Sequence, residues 1–181
     1  MLTTQRLLLR PWQSTDRAPF ARMNADAQVR RYFPGMLTRA ASDASVDRFE
    51  AHYLEHGITF LAAELLQTGA FIGFIGMIYP DKEVPLPAGS LEAGWRLAPA
   101  YWGRGLATEG AAACISYAFG ELTVPAVGAI TTVTNQPSRR VMEKVGMTYL
   151  EEFLHPGIDP QSSVALHVAY VRWRGRRPEG R

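Results

Sequence analysis

A single cysteine, Cys114, stands among 181 residues, which excludes an intrachain disulfide and any cysteine-built metal cluster. Histidine is scarce as well. Of His52, His56, His155 and His167, only the first two share an expected helix at i, i+4 spacing, and no HExxH pattern accompanies them, so no metal site is expected. No run approaches the ~20 consecutive apolar residues of a membrane-spanning helix. The stretch "MLTTQRLLLRPW" has three leucines in a row, too few for the apolar core of a signal peptide. No sign of charge dominates either: the net charge is +2, and "RWRGRRPEGR" contributes five arginines against one glutamate. A basic end of this kind, residues 175–181, reads as a solvated extension rather than a nucleic-acid grip. These absences predict a soluble, cytoplasmic protein that binds neither nucleic acid nor membrane.

What is present suits a globular core. The composition is 47% hydrophobic and 20% charged, and no repeat or internal linker divides the chain, so residues 1–174 are expected to form one domain. Residues 5–12 alternate weakly and end at Pro11, which suits an edge strand. "STDRAPFARM" offers a helix start with Ser14, Thr15 or Asp16 as cap and Pro19 in the first turn. After a break at Pro34-Gly35, Val46, Phe49 and Tyr53 mark one helical face, with Ser42 or Asp43 as cap and Gly57 as stop. Two apolar runs around Gln67-Thr68-Gly69 predict a hairpin. "SLEAGWRLAP" reads as a strand whose Gly94 marks a bulge or a close approach. "LATEGAAACISYAFGEL" reads as a helix whose small residues favour tight packing on a sheet. Strands at "AVGAITTVT", "MTYLEEFL" and "VALHVAYVRWR", and a short helix "PSRRVMEKVG" ended by Gly146, complete an α/β pattern with a mixed sheet.

The informative stretch is "RLAPAYWGRGLATEG", a glycine-rich turn between a strand and a helix. Unpaired N–H groups and the positive end of the helix dipole converge at such a turn and favour a phosphate. A dinucleotide fingerprint would need glycine where Thr108 stands, and a P-loop would need Lys and Ser/Thr where Ala111 and Ala112 stand. Neither template keeps the residues that carry its chemistry. What remains is a glycine pair, Gly103 and Gly105, followed by the small Ala107.

At this point the chain resembles the GNAT superfamily of N-acetyltransferases, in particular its ribosomal-protein N-terminal acetyltransferase branch. "YWGRGLATE" is similar to that superfamily's acetyl-CoA pyrophosphate loop, [Q/R]-x-x-G-x-[G/A], with Trp102 in the first position and Ala107 in the last. "TNQPSRRVMEKVGM" stands in the place of the family's later strand-to-helix segment. The resemblance implies a mixed, mostly antiparallel sheet of six to seven strands flanked by about four helices. It also implies acetyl-CoA as cosubstrate, held by the backbone of Arg96, Leu97 and Ala98, by the turn Trp102, Gly103, Arg104, Gly105, Leu106, Ala107 and Thr108, and by Asn135 and Ser138. Coenzyme A needs an anion cradle and no magnesium ligand, and amides at a helix start supply one.

Three residues take catalytic roles by this resemblance. The amide of Leu97 would stabilise the developing oxyanion, Glu92 would take a proton from the substrate ammonium, and Ser138, or a water it holds, would protonate the leaving thiolate. Many relatives carry a tyrosine four residues beyond the Ser138 position, where this chain has Met142. Each residue also has a plainer structural reading: core packing for Leu97, a solvent-facing or ion-paired strand residue for Glu92, and an N-cap for Asn135, with Pro137 in the first turn. Arg104 reads equally as a phosphate contact or a solvent-facing arginine. Cys114, mid-helix among alanines, reads as an inert buried thiol, so direct attack by the amine is expected rather than an acetyl-cysteine. Glu109 reads as a helix-start or ion-pair residue.

An α-amine with pKa near ~7.8 is about a tenth neutral at pH 7, whereas a lysine near ~10.4 is neutral in roughly one molecule in 2,500. An N-terminal acceptor therefore asks less of a base. The acceptor is expected to be a protein N-terminal amine or a small amine such as an aminoglycoside or polyamine, lined by residues 32–37 and 155–163. The first loop has no carboxylate and the second only Asp159, which disfavours polycations. A non-catalytic acyl-CoA-binding module is the alternative from another class, and a monomer or homodimer is expected.

Overall fold

In a computed structural model, which describes residues 1–81 and 83–175, the period-two and helical stripes become eight strands and five α-helices. The chain enters through β1 (Leu2–Thr3) and β2 (Leu7–Arg10), then lays α1 (Arg17–Asn24), α2 (Ala27–Arg30) and α3 (Arg39–His56) across one face. The hairpin β3 (Phe60–Leu65) and β4 (Ala70–Ile78) follows, and β5 (Leu91–Leu97) leads through the glycine turn into α4 (Leu106–Gly120). The remaining elements are β6 (Ala126–Thr132), α5 (Gln136–Lys144), β7 (Thr148–Leu154) and β8 (Leu166–Trp173). Strand order is β1-β2-β3-β4-β5-β6-β8-β7, antiparallel throughout except for β5 with β6.

The expected architecture holds, with small differences in count. The additional strand is β1, two residues long. The additional helix is α2, a single turn whose Asp26 side chain accepts from Gln28 N, placed where only a break at Pro34-Gly35 was expected. The third helix starts at Arg39 with Thr38 as its cap, earlier than Ser42 or Asp43, because Ser42 is fully buried and its Oγ accepts from Asn24 Nδ2 at 2.9 Å. Gly57 stops that helix in the left-handed region, as expected. Asp16 does not cap α1 with its side chain, which accepts from Gln13 N at 2.8 Å at the start of the short 3-10 turn Ser14–Asp16. The same carboxylate forms a two-pronged ion pair with buried Arg10. The basic segment beyond Gly175 lies outside the described residues.

Side chains of a strand alternate between faces. On β5, Leu91, Ala93 and Leu97 enter the larger core beneath α4 and α5, with Leu7, Ile75, Leu106, Ile115 and Met142. Glu92, Gly94 and Arg96 turn to the opposite face, where Trp12, Phe20, Val46 and Phe74 form an aromatic core under α1 and α3. Gly94 sits at a close approach rather than a bulge: a Cβ there would lie 2.6 Å from the Phe60 ring. Two registers then set up the site. The β4–β5 ladder runs to Leu97, but β5 and β6 pair only at Leu91↔Val127 and Glu92↔Gly128. Beyond Glu92 the two strands part, and a wedge opens in mid-sheet.

Candidate active site

Which backbone groups face the wedge follows from ladder parity. Ala98 N donates to Ile72 O at 2.9 Å, and Arg96 pairs with Phe74. Successive residues of an antiparallel strand direct their N–H and C=O to opposite sides. Arg96 therefore spends its backbone groups on β4, as does the Ala98 amide, while the Ala98 carbonyl accepts from Tyr101 N at 2.9 Å. This corrects the expectation that Arg96 and Ala98 present backbone to coenzyme A. Trp95 and Leu97 face the wedge instead. The Leu97 carbonyl accepts from Trp102 Nε1 at 2.7 Å, and its amide points into the wedge beyond the last β5–β6 pair at Glu92.

The glycine turn follows at once. Gly103 (φ 71°) and Gly105 (φ 77°) both occupy the left-handed region, where a side chain is strained, so backbone geometry alone calls for glycine at each. The amides of Gly103, Arg104, Gly105, Leu106, Ala107 and Thr108 donate to no group among the described residues, and all lie at the N-terminus of α4. Consecutive unengaged amides at a positive dipole end are an anion cradle. Trp102 ties this turn back to β5 through its indole rather than pointing a donor at the cradle.

Arg6, which the sequence did not single out, braces the turn from the far edge of the sheet. Its Nη1 donates to Arg104 O at 2.9 Å, and its Nε pairs with Glu109 Oε2 at 2.6 Å. Thr4 Oγ1 also donates to Glu109, at 2.6 Å. Against the upward push of burial, these bonds from Thr4 and Arg6 hold the Glu109 carboxyl below its ordinary range. Glu109 is thus an ion-pair residue. The Arg104 guanidinium lies 5.7 Å from the Tyr101 ring and joins no salt bridge among the described residues.

At the closed end of the wedge, half-buried Glu92 has no hydrogen-bond or ion-pair partner among the described residues. Burial, with the charge of Asp81 nearby, pushes its carboxyl up to about 7. That is the range in which a carboxylate exchanges protons with an amine at neutral pH. On the β6 side, Asn135 Oδ1 accepts from Ser138 N at 3.3 Å as the cap of α5, and Nδ2 donates to Thr131 Oγ1 at 2.8 Å, so its capping role is filled. The half-buried Ser138 hydroxyl has no partner among the described residues, and Met142 is wholly buried. Burial pushes the Cys114 thiol up to about 12, which leaves it protonated and inert. No group of three or more metal-ligating side chains occurs among the described residues, and no helix among them is long and apolar enough to cross a membrane.

Residues 6–148 match the family model of the acetyltransferase (GNAT) domain, and the chain belongs to this family. It is an N-acetyltransferase, of a family whose acyl donor is acetyl-CoA. The Bacillus subtilis protein described as uncharacterized N-acetyltransferase YnaD is 31% identical over 147 residues, 81% of each chain. The crystal structure of a GNAT-family acetyltransferase from Bacillus anthracis superposes with a TM-score of 0.80 at 25% identity, covering 96% of this chain and 98% of that one. An acetyltransferase structure from Agrobacterium tumefaciens gives 0.76 at 28% identity, covering 94% and 92%.

Proposed function

We propose that this chain moves the acetyl group of acetyl-CoA directly onto a primary amine of low basicity, such as a peptide N-terminal α-amine. One conjunction supports the reading. Six unengaged amides at the start of α4 suit the pyrophosphate, the wedge-facing backbone of Trp95 and Leu97 suits the pantetheine arm as a short added strand, and Glu92 waits at the wedge's closed end. The reacting thioester belongs to the cosubstrate; this chain's residues orient it and move the protons. The Leu97 amide stabilises charge gathering on the acyl oxygen. Glu92 takes the proton that the amine loses as the C–N bond forms, and Ser138, or a water it holds, returns one to the sulfur as the C–S bond breaks. Asn135 keeps its capping bonds while its edge lines the pantetheine path.

The match of proton affinities favours an α-amine. A carboxylate near 7 lies close to an α-ammonium near ~7.8 but more than three pH units below a lysine near ~10.4. Thiol release distinguishes the acceptors, with peptides bearing a free amino terminus compared against N-blocked peptides bearing only lysine amines. Transfer to the free terminus is expected. Equal kcat/KM for lysine or polyamine amines would refute the α-amine reading.

A further inference from the structure

The fold neutralises buried Arg10 and leaves buried Arg30 and half-buried Arg96 without a counter-ion among the described residues. Arg10 is paired with Asp16 at 2.7 Å and with Glu64 at 2.7 Å. Arg96 and Arg30 have no such partner: neither joins a carboxylate among the described residues. Their guanidiniums sit 4.2 and 4.4 Å from the ring centre of one residue, Phe33, in the loop between α2 and α3. Two like charges on one ring, drawn out of water, repel each other and lack the compensation that buried charges need.

Arg96 is held for a purpose other than pairing. Its Nη1 donates to Asn24 Oδ1 at 2.8 Å, and Asn24, fully buried, is itself fixed through Nδ2 to buried Ser42. Phe74 supports the guanidinium from the sheet side, 5.3 Å away. Its Nε is sealed with no partner, while Nη2 has none among the described residues and is not sealed. Among the described residues, Arg30 is anchored only through Nε to Gly35 O at 2.7 Å. Burial pushes Arg30 down, and burial, then the charge of Arg30, pushes Arg96 down to about 9, so Arg96 stays charged at neutral pH. Arg96 also shares its strand face with Glu92, two residues either side of Gly94. The same loop reaches the cradle, where the Arg31 guanidinium lies 5.6 Å from the Trp102 ring.

We propose that Arg96, oriented by Asn24 and backed by Arg30 across Phe33, binds an oxyanion carried by the acceptor, so that the substrate class is anionic amines. The inference rests on the acetyl-transfer reading above and narrows its acceptor. A planar guanidinium fork held by a buried amide suits a carboxylate or a phosphate ester. The two residues lie four positions apart, about 13 Å along the strand, so the amine and the anion are separated groups of one molecule rather than adjacent atoms.

The test uses acceptor pairs that share an α-amine and differ only in the anion: glycyl-β-alanine against its C-terminal amide, a peptide with phosphoserine in the second position against the same peptide with serine, and a peptide with an acidic second residue against its amide counterpart. The anionic member of at least one pair is expected to have a kcat/KM about 10- to 100-fold higher. Which pair shows it separates free carboxylate, phosphate and acidic peptide. Arg96→Met should collapse that ratio towards one, and Arg96→Lys should keep part of it, while acetyl-CoA affinity holds. Equal rates within every pair, or a ratio that survives Arg96→Met, overturn the anionic acceptor and leave acetyl transfer standing. Loss of acetyl-CoA affinity with an unchanged ratio assigns Arg96 to the donor and overturns it too. Absence of transfer to every amine refutes the acetyl-transfer reading. Calorimetric titration of the same pairs in the presence of coenzyme A reads the anion site without turnover. Binding of the anionic member alone, lost in Arg96→Met, supports the proposal, and no difference overturns it. Circular dichroism of both variants shows that the fold persists.

Discussion

Replacing Glu92 by Gln separates what this residue does for catalysis from what it does to stability. The folded chain holds the Glu92 proton up to about pH 7, whereas the unfolded chain releases it near its ordinary 4.5. Between these values the folded state binds more protons, so this group's effect on stability worsens as pH rises and is complete above 7. At 1.36 kcal/mol per pH unit the native protein is destabilised by about 3 kcal/mol at pH 8 and by less than about 1 kcal/mol at pH 5. Glu92→Gln removes the charge. Its Tm relative to the native chain should therefore rise between pH 5 and pH 8 by about 2 kcal/mol, or roughly 4–8 °C for a domain of this size. The comparison across pH cancels the cost of leaving a carboxamide in the same place. Thermal melts at the two pH values measure this, and thiol release measures the other half: kcat/KM should fall about 100-fold, and the native rise through pH 7 should vanish. A Tm difference that is flat with pH would refute the half-buried, unpaired carboxyl. Retained turnover with an unchanged profile would refute its role as base.

Further perturbations probe the rest of the site. Gly105→Glu sets a carboxylate among the cradle amides, and at about 5 Å from a phosphate charge, with an effective dielectric near 20, the repulsion is ~3 kcal/mol before screening. Calorimetry should show acetyl-CoA affinity falling 10- to 100-fold while the protein stays folded; unchanged affinity would sink the cradle assignment. Gly105→Ala, which adds no charge, should lower stability by about 1 kcal/mol through the left-handed φ and spare most of the affinity. Arg6→Ala removes the brace on Arg104 O and on Glu109, and should raise the KM for acetyl-CoA several-fold with kcat preserved; a fall in kcat alone would contradict the bracing role. Cys114→Ala should keep turnover, and intact mass after mixing with acetyl-CoA should show no acetylated protein; an acetyl adduct on the native chain would overturn direct transfer.

The glycine turn was legible because its chemistry is local. Thr108, Ala111 and Ala112 rule out other phosphate loops by identity alone, and Gly103 and Gly105 need only their neighbours to be understood. Helix stops at Gly57 and Gly146 are equally local. Features that depend on distant partners were not legible. The pairing of Arg6 with Glu109 joins residues 103 positions apart. Ser42 looked like a cap because small polar residues favour helix starts, yet it is a buried partner of Asn24. Ladder parity, which turns Trp95 and Leu97 into the wedge and Arg96 and Ala98 away from it, depends on where β4 begins to pair, and nothing in "GWRLA" discloses that. Arg96 was read for its backbone, while its side chain carries the unpaired charge.

The parting of β5 from β6 also bears on how the molecule avoids sticking to itself. An unpaired strand edge invites another protein's strand, and sheets usually guard their outer edges against this. Here two bare edges lie inside the sheet, facing each other from the single short junction at Leu91 and Glu92. A full protein strand needs a lane about 4.8 Å from each neighbour along its whole length. A gap that narrows to closure offers no such lane, but it admits a thin chain with a few amide groups. The taper thus selects its occupant by thickness, and it leaves an interior edge open without making it a seed for aggregation.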